Sequence, residues 1–218
     1  MNQPTEVVLV HGLWHQPDHF DRLADDLRGQ GTSVQVPRLH RGSLAADTAV
    51  VQEVVDGCLG TPVVLGHSYG GSVITGLERV RHLVYVAAFV PAAGESCSML
   101  GGPSALVNDA VRHHEDGSTS IHPGMAREFL YDDCSETESA WATSLLVSQQ
   151  PGHGRGVPSR SAWGTVESTY ILCEQDKALS PVLQESMAGR CTKVVRLNSG
   201  HSPWLSQPKR LTQLILGI

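Results

Sequence analysis

The chain has 218 residues, of which 22 are acidic and 16 basic, so its formal charge is -6. Hydrophobic residues make up 40% of the sequence, which suffices for the core of one domain, because a chain of this size buries about 70% of its unfolded surface. Mild acidity without a Lys/Arg cluster disfavours nucleic acid as a partner. No run approaches the ~18 consecutive apolar residues of a membrane span, and the N-terminus lacks a signal-peptide pattern. We therefore expect a cytoplasmic protein with no membrane partner.

The cysteines also bear on the class of protein. Cys58, Cys97, Cys134, Cys173 and Cys191 are an odd number and form no CxxC pair. This pattern argues against a secreted disulfide framework and against a tetrathiolate zinc site, and it is typical of the reducing cytosol. The expected partner is a small molecule, and the sequence leaves the oligomeric state open.

Short β-branched runs alternate with segments of helical period, which predicts a parallel sheet flanked by helices. The predicted strands are Val7 to Val10, Ser33 to Val36, Pro62 to Leu65, His82 to Ala87, Ser168 to Cys173 and Lys193 to Leu197. Their nearly unbroken apolar runs indicate strands that are covered on both faces. The sequence therefore predicts an α/β fold, with residues 1–218 forming a single domain around a six-stranded, mostly parallel sheet.

Capping residues and apolar periodicity predict helices between these strands. Asp18 is the expected N-cap of the first helix, which should end near Gly29. Ser43 is the expected N-cap of the second helix. Pro208 is expected near the start of the last helix, which closes the chain against the sheet.

Residues 91–165 interrupt the alternation, because this segment is rich in Gly, Ser, His and Asp and has few strand signals. Met125 to Tyr131 has helical periodicity, and Ser135 with Glu138 forms a capping box that opens another helix. Such an insert usually serves as a cap over the site, whereas the alternative is a partly disordered loop. We expect a cap, and we leave the order of residues 149–160 open.

The sequence GHSYGG at residues 66–71 follows one of the apolar runs and precedes a helical stripe. A serine on so sharp a strand-to-helix turn needs glycine on either side, because the strained backbone leaves no room for neighbouring β-carbons. The helix after the turn aims its N–H groups at the site. Ser68 is therefore the candidate nucleophile. A role as a helix cap is the alternative, which the flanking strand and helix disfavour.

A serine hydroxyl needs a base to take its proton, and the base needs a carboxylate that fixes its tautomer. His201 is the candidate base, because it follows the last strand in the turn GHSPW. Asp176, after the fifth strand, is favoured as the acid over Glu174, which lies nearer that strand. Asp132 and Asp133 in the insert are weaker candidates. Because the carboxyl ends of parallel strands share one edge of a sheet, the three chosen residues should meet there.

An oxyanion intermediate needs backbone N–H donors that are already in place. One donor is expected from Tyr69, directly after the nucleophile. The other is expected from Leu13, because Gly12 lets the backbone of the first turn approach closely. Trp14 and His15 should then line the pocket.

Two histidine-rich segments raise the question of a metal site. His11, His15 and His19 recur four residues apart, but Gly12 interrupts any helix that would bring them onto one face. The run HHED at residues 113–116 is typical of a solvated loop. We therefore expect no metal and no cofactor.

Four segments together carry a resemblance: HGLWH after the first strand, GHSYGG at the turn, CEQDKALSP after the fifth strand and GHSPW near the end. With these motifs the sequence resembles the α/β-hydrolase superfamily over nearly the whole chain outside the insert. It looks most like the small branch that contains salicylate-type methyl esterases and hydroxynitrile lyases. The resemblance implies the α/β-hydrolase fold with a helical cap. Family members often begin with an additional hairpin, so the shorter six-stranded sheet is expected here.

Hydroxynitrile lyases of this branch carry a lysine after the catalytic histidine and a threonine in the first turn, where this chain has Ser202 and Gly12. These differences favour ester hydrolysis over cyanide elimination. We expect a serine hydrolase that cleaves a small carboxylic ester, thioester or lactone through an acyl-Ser68 intermediate, with Trp141 and Leu145 shaping an apolar pocket. Two alternatives stay open. In the first, the same triad acts on a biosynthetic intermediate by C–C cleavage, cyclisation, lyase chemistry or isomerisation. In the second, the protein is a ligand receptor without catalysis.

Overall fold

A computed structural model of the protein describes residues 5–39, 42–101 and 105–218. Its strands are β1 Glu6–Val10, β2 Ser33–Gln35, β3 Val63–His67, β4 His82–Val86, β5 Val111–His113, β6 Thr119–Ile121, β7 Ser168–Cys173 and β8 Lys193–Leu197. Its α-helices are α1 Asp21–Gly29, α2 Leu44–Asp56, α3 Gly70–Thr75, α4 Cys97–Gly101, α5 Pro123–Leu130, α6 Glu136–Ser144, α7 Pro181–Ala188, α8 Pro203–Ser206 and α9 Pro208–Leu216. Short 3-10 helices cover Pro17–Phe20, Leu106–Ala110, His153–Arg155 and Ala162–Gly164.

Six strands form one sheet in the order β2-β1-β3-β4-β7-β8. Every neighbouring pair in this sheet is parallel, with Leu9 of β1 opposite Leu65 of β3. The predicted α/β fold with a six-stranded sheet is therefore confirmed. Because all six strands run in one direction, the loops that follow them meet at a single edge.

Successive residues of the central strands face opposite sides of the sheet, so each strand contributes to two apolar layers. On one side, Val7 and Leu9 pack in a cluster with the buried faces of α1, α8 and α9. On the other side, Val8 and Val10 pack with α2, α3 and α7. Burial on both faces explains why the strand sequences are nearly unbroken apolar runs.

Three predicted helix starts are confirmed. Ser43 Oγ accepts from Ala46 N at 3.2 Å at the start of α2. Ser135 and Glu138 form the expected capping box of α6. Pro208 is the first residue of α9.

The expectation that Asp18 caps the first helix is wrong. Pro17 opens a 3-10 turn that continues through Phe20, with Gln16 as its N-cap, and α1 begins only at Asp21. Proline has a fixed φ and no N–H to satisfy, so it starts the turn before the capping residue that the sequence suggested.

The insert, residues 91–165, contains α4, the hairpin of β5 and β6, α5 and α6. The two predicted insert helices are confirmed, with α5 starting two residues before Met125 and α6 ending before Leu145. The hairpin was not predicted. Its strands have three residues each, and only Ile121 among them is buried, so they carry almost no apolar alternation.

Residues 149–160, whose order the sequence leaves open, pack against the domain. Gln149 and Thr119 exchange two backbone hydrogen bonds of 2.8 and 2.9 Å. The side chains of Gln149 and His153 are buried, and His153 Nε2 lies 3.7 Å from Asp47 Oδ2 of α2. The segment is thereby joined both to the hairpin and to a helix of the central domain.

In the described ranges, no helix combines the length and the apolar character that crossing a bilayer requires. All five cysteines are free thiols. Burial raises the pKa of the Cys97 thiol to about 12, which keeps it protonated at neutral pH.

Gly71 lies where α3 meets the segment after β4. A β-carbon at this position would lie 2.3 Å from Phe89 O and 2.8 Å from Ala88 Cβ. Gly71→Ala should lower the free energy of unfolding by about 2–3 kcal/mol, because backbone atoms must move to relieve the overlap. Urea unfolding followed by circular dichroism measures the change.

Gly29→Ala is the matched control for this substitution. Gly29 is the last residue of α1, and a β-carbon there meets no atom within 4 Å. Alanine should be neutral there or stabilise the protein by up to about 1 kcal/mol, since it forms helix better than glycine. Equal unfolding midpoints for the two variants would contradict the packing argument.

Candidate active site

Ser68 forms the turn between β3 and α3, with a φ of 54°. This left-handed conformation is strained for a residue with a β-carbon, and the bond from Phe89 N to Ser68 O, at 3.1 Å, helps to hold it. Glycines flank the turn on both sides. A β-carbon at Gly66 would lie 2.6 Å from Gly70 O, and one at Gly70 would lie 2.5 Å from Val10 O. The glycines of the GHSYGG motif are therefore required by close backbone contacts.

His201 lies in the turn between β8 and α8, with both its ring and its backbone bonded. Its Nδ1 lies 2.7 Å from Asp176 Oδ2, and both residues are only 3% exposed. Its backbone oxygen accepts from His67 Nε2 at 2.8 Å. Because the carboxylate occupies Nδ1, the ring nitrogen left to act on a reacting group is Nε2.

Asp176 lies in the loop after β7 and is surrounded by donors. Its Oδ1 accepts from Ala178 N at 2.7 Å and from Leu179 N at 2.9 Å. Its Oδ2 accepts from Gln184 Nε2 at 2.8 Å in addition to His201. Gln184 is a fully buried residue of α7, and its contact with Asp176 was not predicted. A glutamine on a helix that packs against the sheet is the signal that could have indicated this contact.

The other three candidate carboxylates bind elsewhere. Glu174 is exposed, and its Oε1 lies 3.9 Å from Arg196 Nη1. Asp132 Oδ2 lies 3.2 Å from Lys177 Nζ. Asp133 Oδ2 accepts from backbone and hydroxyl groups of the loop that precedes His201. Of the four candidates, Asp176 is the one that contacts the His201 ring.

The loop after β1 lies directly against the serine turn. A β-carbon at Gly12 would lie 2.9 Å from Ser68 Cβ. In the described part of the chain, the backbone N–H groups of Leu13 and Tyr69 donate to no other protein group. Two donors that are expected to face an oxyanion are thus available beside Ser68.

The insert holds this first loop in place at Trp14, whose own φ is 62°. The indole Nε1 donates to Thr119 Oγ1 at 3.1 Å, and Trp14 N lies 3.4 Å from Gln149 Oε1. Val147 N donates to Trp14 O at 2.9 Å. Three insert residues therefore fix the backbone next to Leu13.

A small cavity, with about 30 Å³ of room for the centre of a water molecule, opens on Ser68 and His201. Its walls are mostly aliphatic and aromatic. The residues that line it are Leu13, Trp14, His15, Ser68, Phe89, Ala105, Val107, Leu130, Ala178, Leu179 and His201. Val107 and Leu130 come from the insert, and the sequence analysis missed them because nothing in their spacing indicates which side they face.

The insert residues Trp141 and Leu145, which the sequence analysis expected in the pocket, do not line this cavity. The Trp141 ring faces the His19 ring, with 6.3 Å between centroids. The backbone oxygen of Leu145 accepts from Gln16 Nε2 at 2.9 Å. Both residues contact the outer side of the first loop, because α6 ends there instead of reaching the cavity.

His15 and His19 use their ring nitrogens in hydrogen bonds to protein groups. His15 Nδ1 bonds to Leu13 O at 2.9 Å and Nε2 accepts from Tyr131 Oη at 3.0 Å. His19 Nδ1 accepts from Gln16 N, and Nε2 bonds to Ala142 O at 3.1 Å. No group of three metal-binding side chains occurs among the described residues.

Two histidines next to the site are held neutral. Burial lowers the pKa of His15 and of His67 well below the usual value for imidazole, and the neighbouring His19 and His201 rings lower it further. The cavity wall therefore carries no positive charge at His15 at neutral pH. The run at residues 113–116 is exposed and belongs to the hairpin of β5 and β6, which is a separate two-stranded sheet.

Comparison with known proteins gives consistent matches. A sequence model described as "Alpha/beta hydrolase family" matches residues 7–214. The alpha/beta hydrolase nvfD of Aspergillus novofumigatus is 29% identical over 237 residues, which covers 96% of this chain and 94% of that protein. A pyrethroid hydrolase from Sphingobium faniae superposes with a TM-score of 0.87 at 22% identity, covering 97% of this chain and 95% of that one. Polyneuridine aldehyde esterase superposes with a TM-score of 0.84 at 20% identity, covering 99% of each chain.

The matched span, residues 7–214, contains all of the six-stranded sheet except its first residue, Glu6, and includes the loops of Ser68, Asp176 and His201. The two superpositions extend over the same sheet and insert, so they show a common fold. The resemblance seen in the four motifs is confirmed by the family match. The chain belongs to the alpha/beta hydrolase family.

Proposed function

We propose that the protein is a serine hydrolase that cleaves a small carboxylic ester through an acyl-Ser68 intermediate, without a cofactor. One observation carries the proposal. The cavity that opens on Ser68 also opens on His201, whose Nδ1 lies 2.7 Å from Asp176 Oδ2. An imidazole bonded to a carboxylate in this way offers Nε2 as a base, which is what a serine hydroxyl needs to become a nucleophile.

The reaction follows from this arrangement in two halves. His201 Nε2 takes the Ser68 proton while Oγ attacks the ester carbonyl carbon, and Asp176 stabilises the imidazolium. The N–H groups of Leu13 and Tyr69 stabilise the tetrahedral oxyanion, by about 3 kcal/mol each. The C–O bond then breaks, and His201 protonates the leaving alcohol. In the second half, His201 deprotonates a water that attacks the acyl carbon, the bond from that carbon to Ser68 Oγ breaks, and His201 returns the proton to Ser68 as the carboxylic acid leaves.

The lining of the cavity favours a compact, uncharged ester. Neither lysine nor arginine lines it within the described residues, and His15 is neutral. We propose that the insert acts as a cap, since Val107 and Leu130 supply part of the wall. Similarity to proteins named as a hydrolase and an esterase supports the same class of reaction.

Cyanide elimination is the weaker proposal because this chain lacks the two groups that handle cyanide in hydroxynitrile lyases. The threonine that hydroxynitrile lyases carry in the first turn would require a β-carbon at Gly12, only 2.9 Å from Ser68 Cβ. At the position of their lysine, this chain has Ser202, which is buried and uncharged. Neither group that handles cyanide is therefore supplied.

A fluorophosphonate probe should label Ser68, because phosphonylation requires the same activated hydroxyl. Peptide mass mapping locates the label, and Ser68→Ala should remove both the label and the turnover of para-nitrophenyl esters. Active protein that carries the label elsewhere would contradict the acyl-enzyme. Protein that is labelled at Ser68 but turns over no aryl ester would instead favour another reaction of the same residues. Thermal stabilisation by a ligand, without any turnover or label, would favour a receptor.

Asp176→Asn should lower kcat by about 10³- to 10⁴-fold, because an amide favours the wrong tautomer of His201 and cannot stabilise its charge. Glu174→Gln is the matched control. It removes an exposed carboxylate from the same loop and should leave kcat within about twofold. Steady-state kinetics on one aryl ester measure both variants, and comparable losses would contradict the assignment of Asp176.

The charge of the acyl group should decide which esters react. We expect kcat/KM for para-nitrophenyl butyrate to exceed that for mono-para-nitrophenyl succinate by at least about 100-fold, because the cavity offers no partner for a buried carboxylate. The rates at which the two esters react with an external nucleophile such as hydroxylamine correct for their intrinsic reactivity, because the succinate carboxylate accelerates spontaneous hydrolysis by intramolecular attack. Equal corrected values would contradict an apolar acyl site.

A further inference from the structure

The carboxylate of Asp133, in the insert between α5 and α6, contacts the turn that carries His201. Its Oδ2 accepts from Gly200 N at 2.8 Å, from Ser199 Oγ at 2.9 Å and from Ser206 Oγ at 2.8 Å. The first two donors directly precede His201, and the third is the last residue of α8, which follows it. A single oxygen therefore joins both ends of the turn.

Asp133 is exposed, but Gly200 packs directly against the two aspartates of the insert. A β-carbon at Gly200 would lie 2.3 Å from Asp132 Oδ1 and 2.8 Å from Asp133 Oδ1. Asp132 also lies 3.2 Å from the ammonium group of Lys177, in the loop after β7. The two consecutive aspartates of the insert thus contact both loops that supply the imidazole and its carboxylate.

We propose that Asp133 is a positioning residue that sets the direction of the His201 ring by holding its backbone, an inference that rests on the proposed function. Asp133 does not touch the ring, which bonds to Asp176 instead. Hydrogen bonds to an ionised acceptor are about twice as strong as neutral ones, so a carboxylate with three donors holds the turn firmly. Position matters here, since a misplacement of about 1 Å in a catalytic group can cost about 100-fold in rate.

Other bonds to this turn come from the central domain. His201 O accepts from His67 Nε2 at 2.8 Å, and Ser199 O accepts from Gln175 N at 3.0 Å. These bonds fix the turn relative to the strands that carry Ser68 and Asp176. Asp133 adds a restraint from the insert, so correct packing of the insert becomes a condition for correct placement of the base.

Asp133→Ala should lower kcat by about 30- to 100-fold while KM changes by less than about threefold, because the imidazole loses its direction and the cavity keeps its walls. The rate of fluorophosphonate labelling of Ser68 should fall by the same factor. Asp133→Asn keeps one acceptor oxygen and should recover most of the loss. Glu136→Ala, an exposed change in the same insert, is the control and should leave kcat unchanged.

The labelling rate in a His201→Ala background separates positioning from a general structural role. There Asp133→Ala should cause no further loss, because the residue acts through His201. An equal loss in both backgrounds, or full activity of Asp133→Ala, would overturn the inference. If Asp133→Ala fails to fold in urea titrations, Ser206→Ala, which removes one donor, undergoes the same test with an expected loss of about threefold. Wild-type protein without label at Ser68 would instead overturn the proposed function.

Discussion

The arrangement of the site depends on one steric constraint, the close approach of three backbone segments around Ser68. Gly70 allows the turn to contact Val10 O of β1, and Gly12 brings the first loop to within van der Waals distance of the serine side chain. Ser68 itself adopts a left-handed backbone conformation, which is strained for a residue with a β-carbon and persists because the surrounding segments hold it. Because these contacts are to backbone atoms or, at Gly12, to the β-carbon of Ser68, which no χ1 rotation moves, no change of rotamer can relieve a substitution. Ser68 and the nearest candidate oxyanion donors are therefore placed by the packing of the sheet edge itself.

The insert completes what the sheet edge begins. Its residues Thr119, Val147 and Gln149 bond to Trp14 and so support the first loop, while Asp133 bonds to the turn of the base. The same segment that supplies part of the cavity wall thus also holds two of the loops that surround the reacting atoms. Sequence changes in the insert can therefore alter the shape of the cavity and the placement of these loops together.

The sequence predicted most of the fold and much of the candidate site, because both follow from short-range rules. Strand position, the GHSYGG turn and the caps at Ser43 and Ser135 depend on residues close in sequence. The lining of the cavity depends on how the insert packs, and spacing rules carry no such information. Trp141 was therefore wrongly expected in the cavity. The contact of Gln184 with Asp176 was missed because it also depends on packing. The start of α1 was expected after Asp18. Pro17 instead opens a 3-10 turn through Phe20, and α1 begins at Asp21.

Several buried histidines lie near the serine, and the carboxylate distinguishes one of them as a base. Burial lowers the pKa of His15 and His67. The His15 ring bonds to the neutral groups Leu13 O and Tyr131 Oη, and His67 Nε2 bonds to His201 O. The His67 and His201 rings lie 4.6 Å apart, close enough that a charge on one disfavours a charge on the other. In the proposed mechanism the proton of Ser68 goes to His201, where the Asp176 carboxylate offsets the charge. In an apolar cavity, the position of that carboxylate decides which imidazole can act.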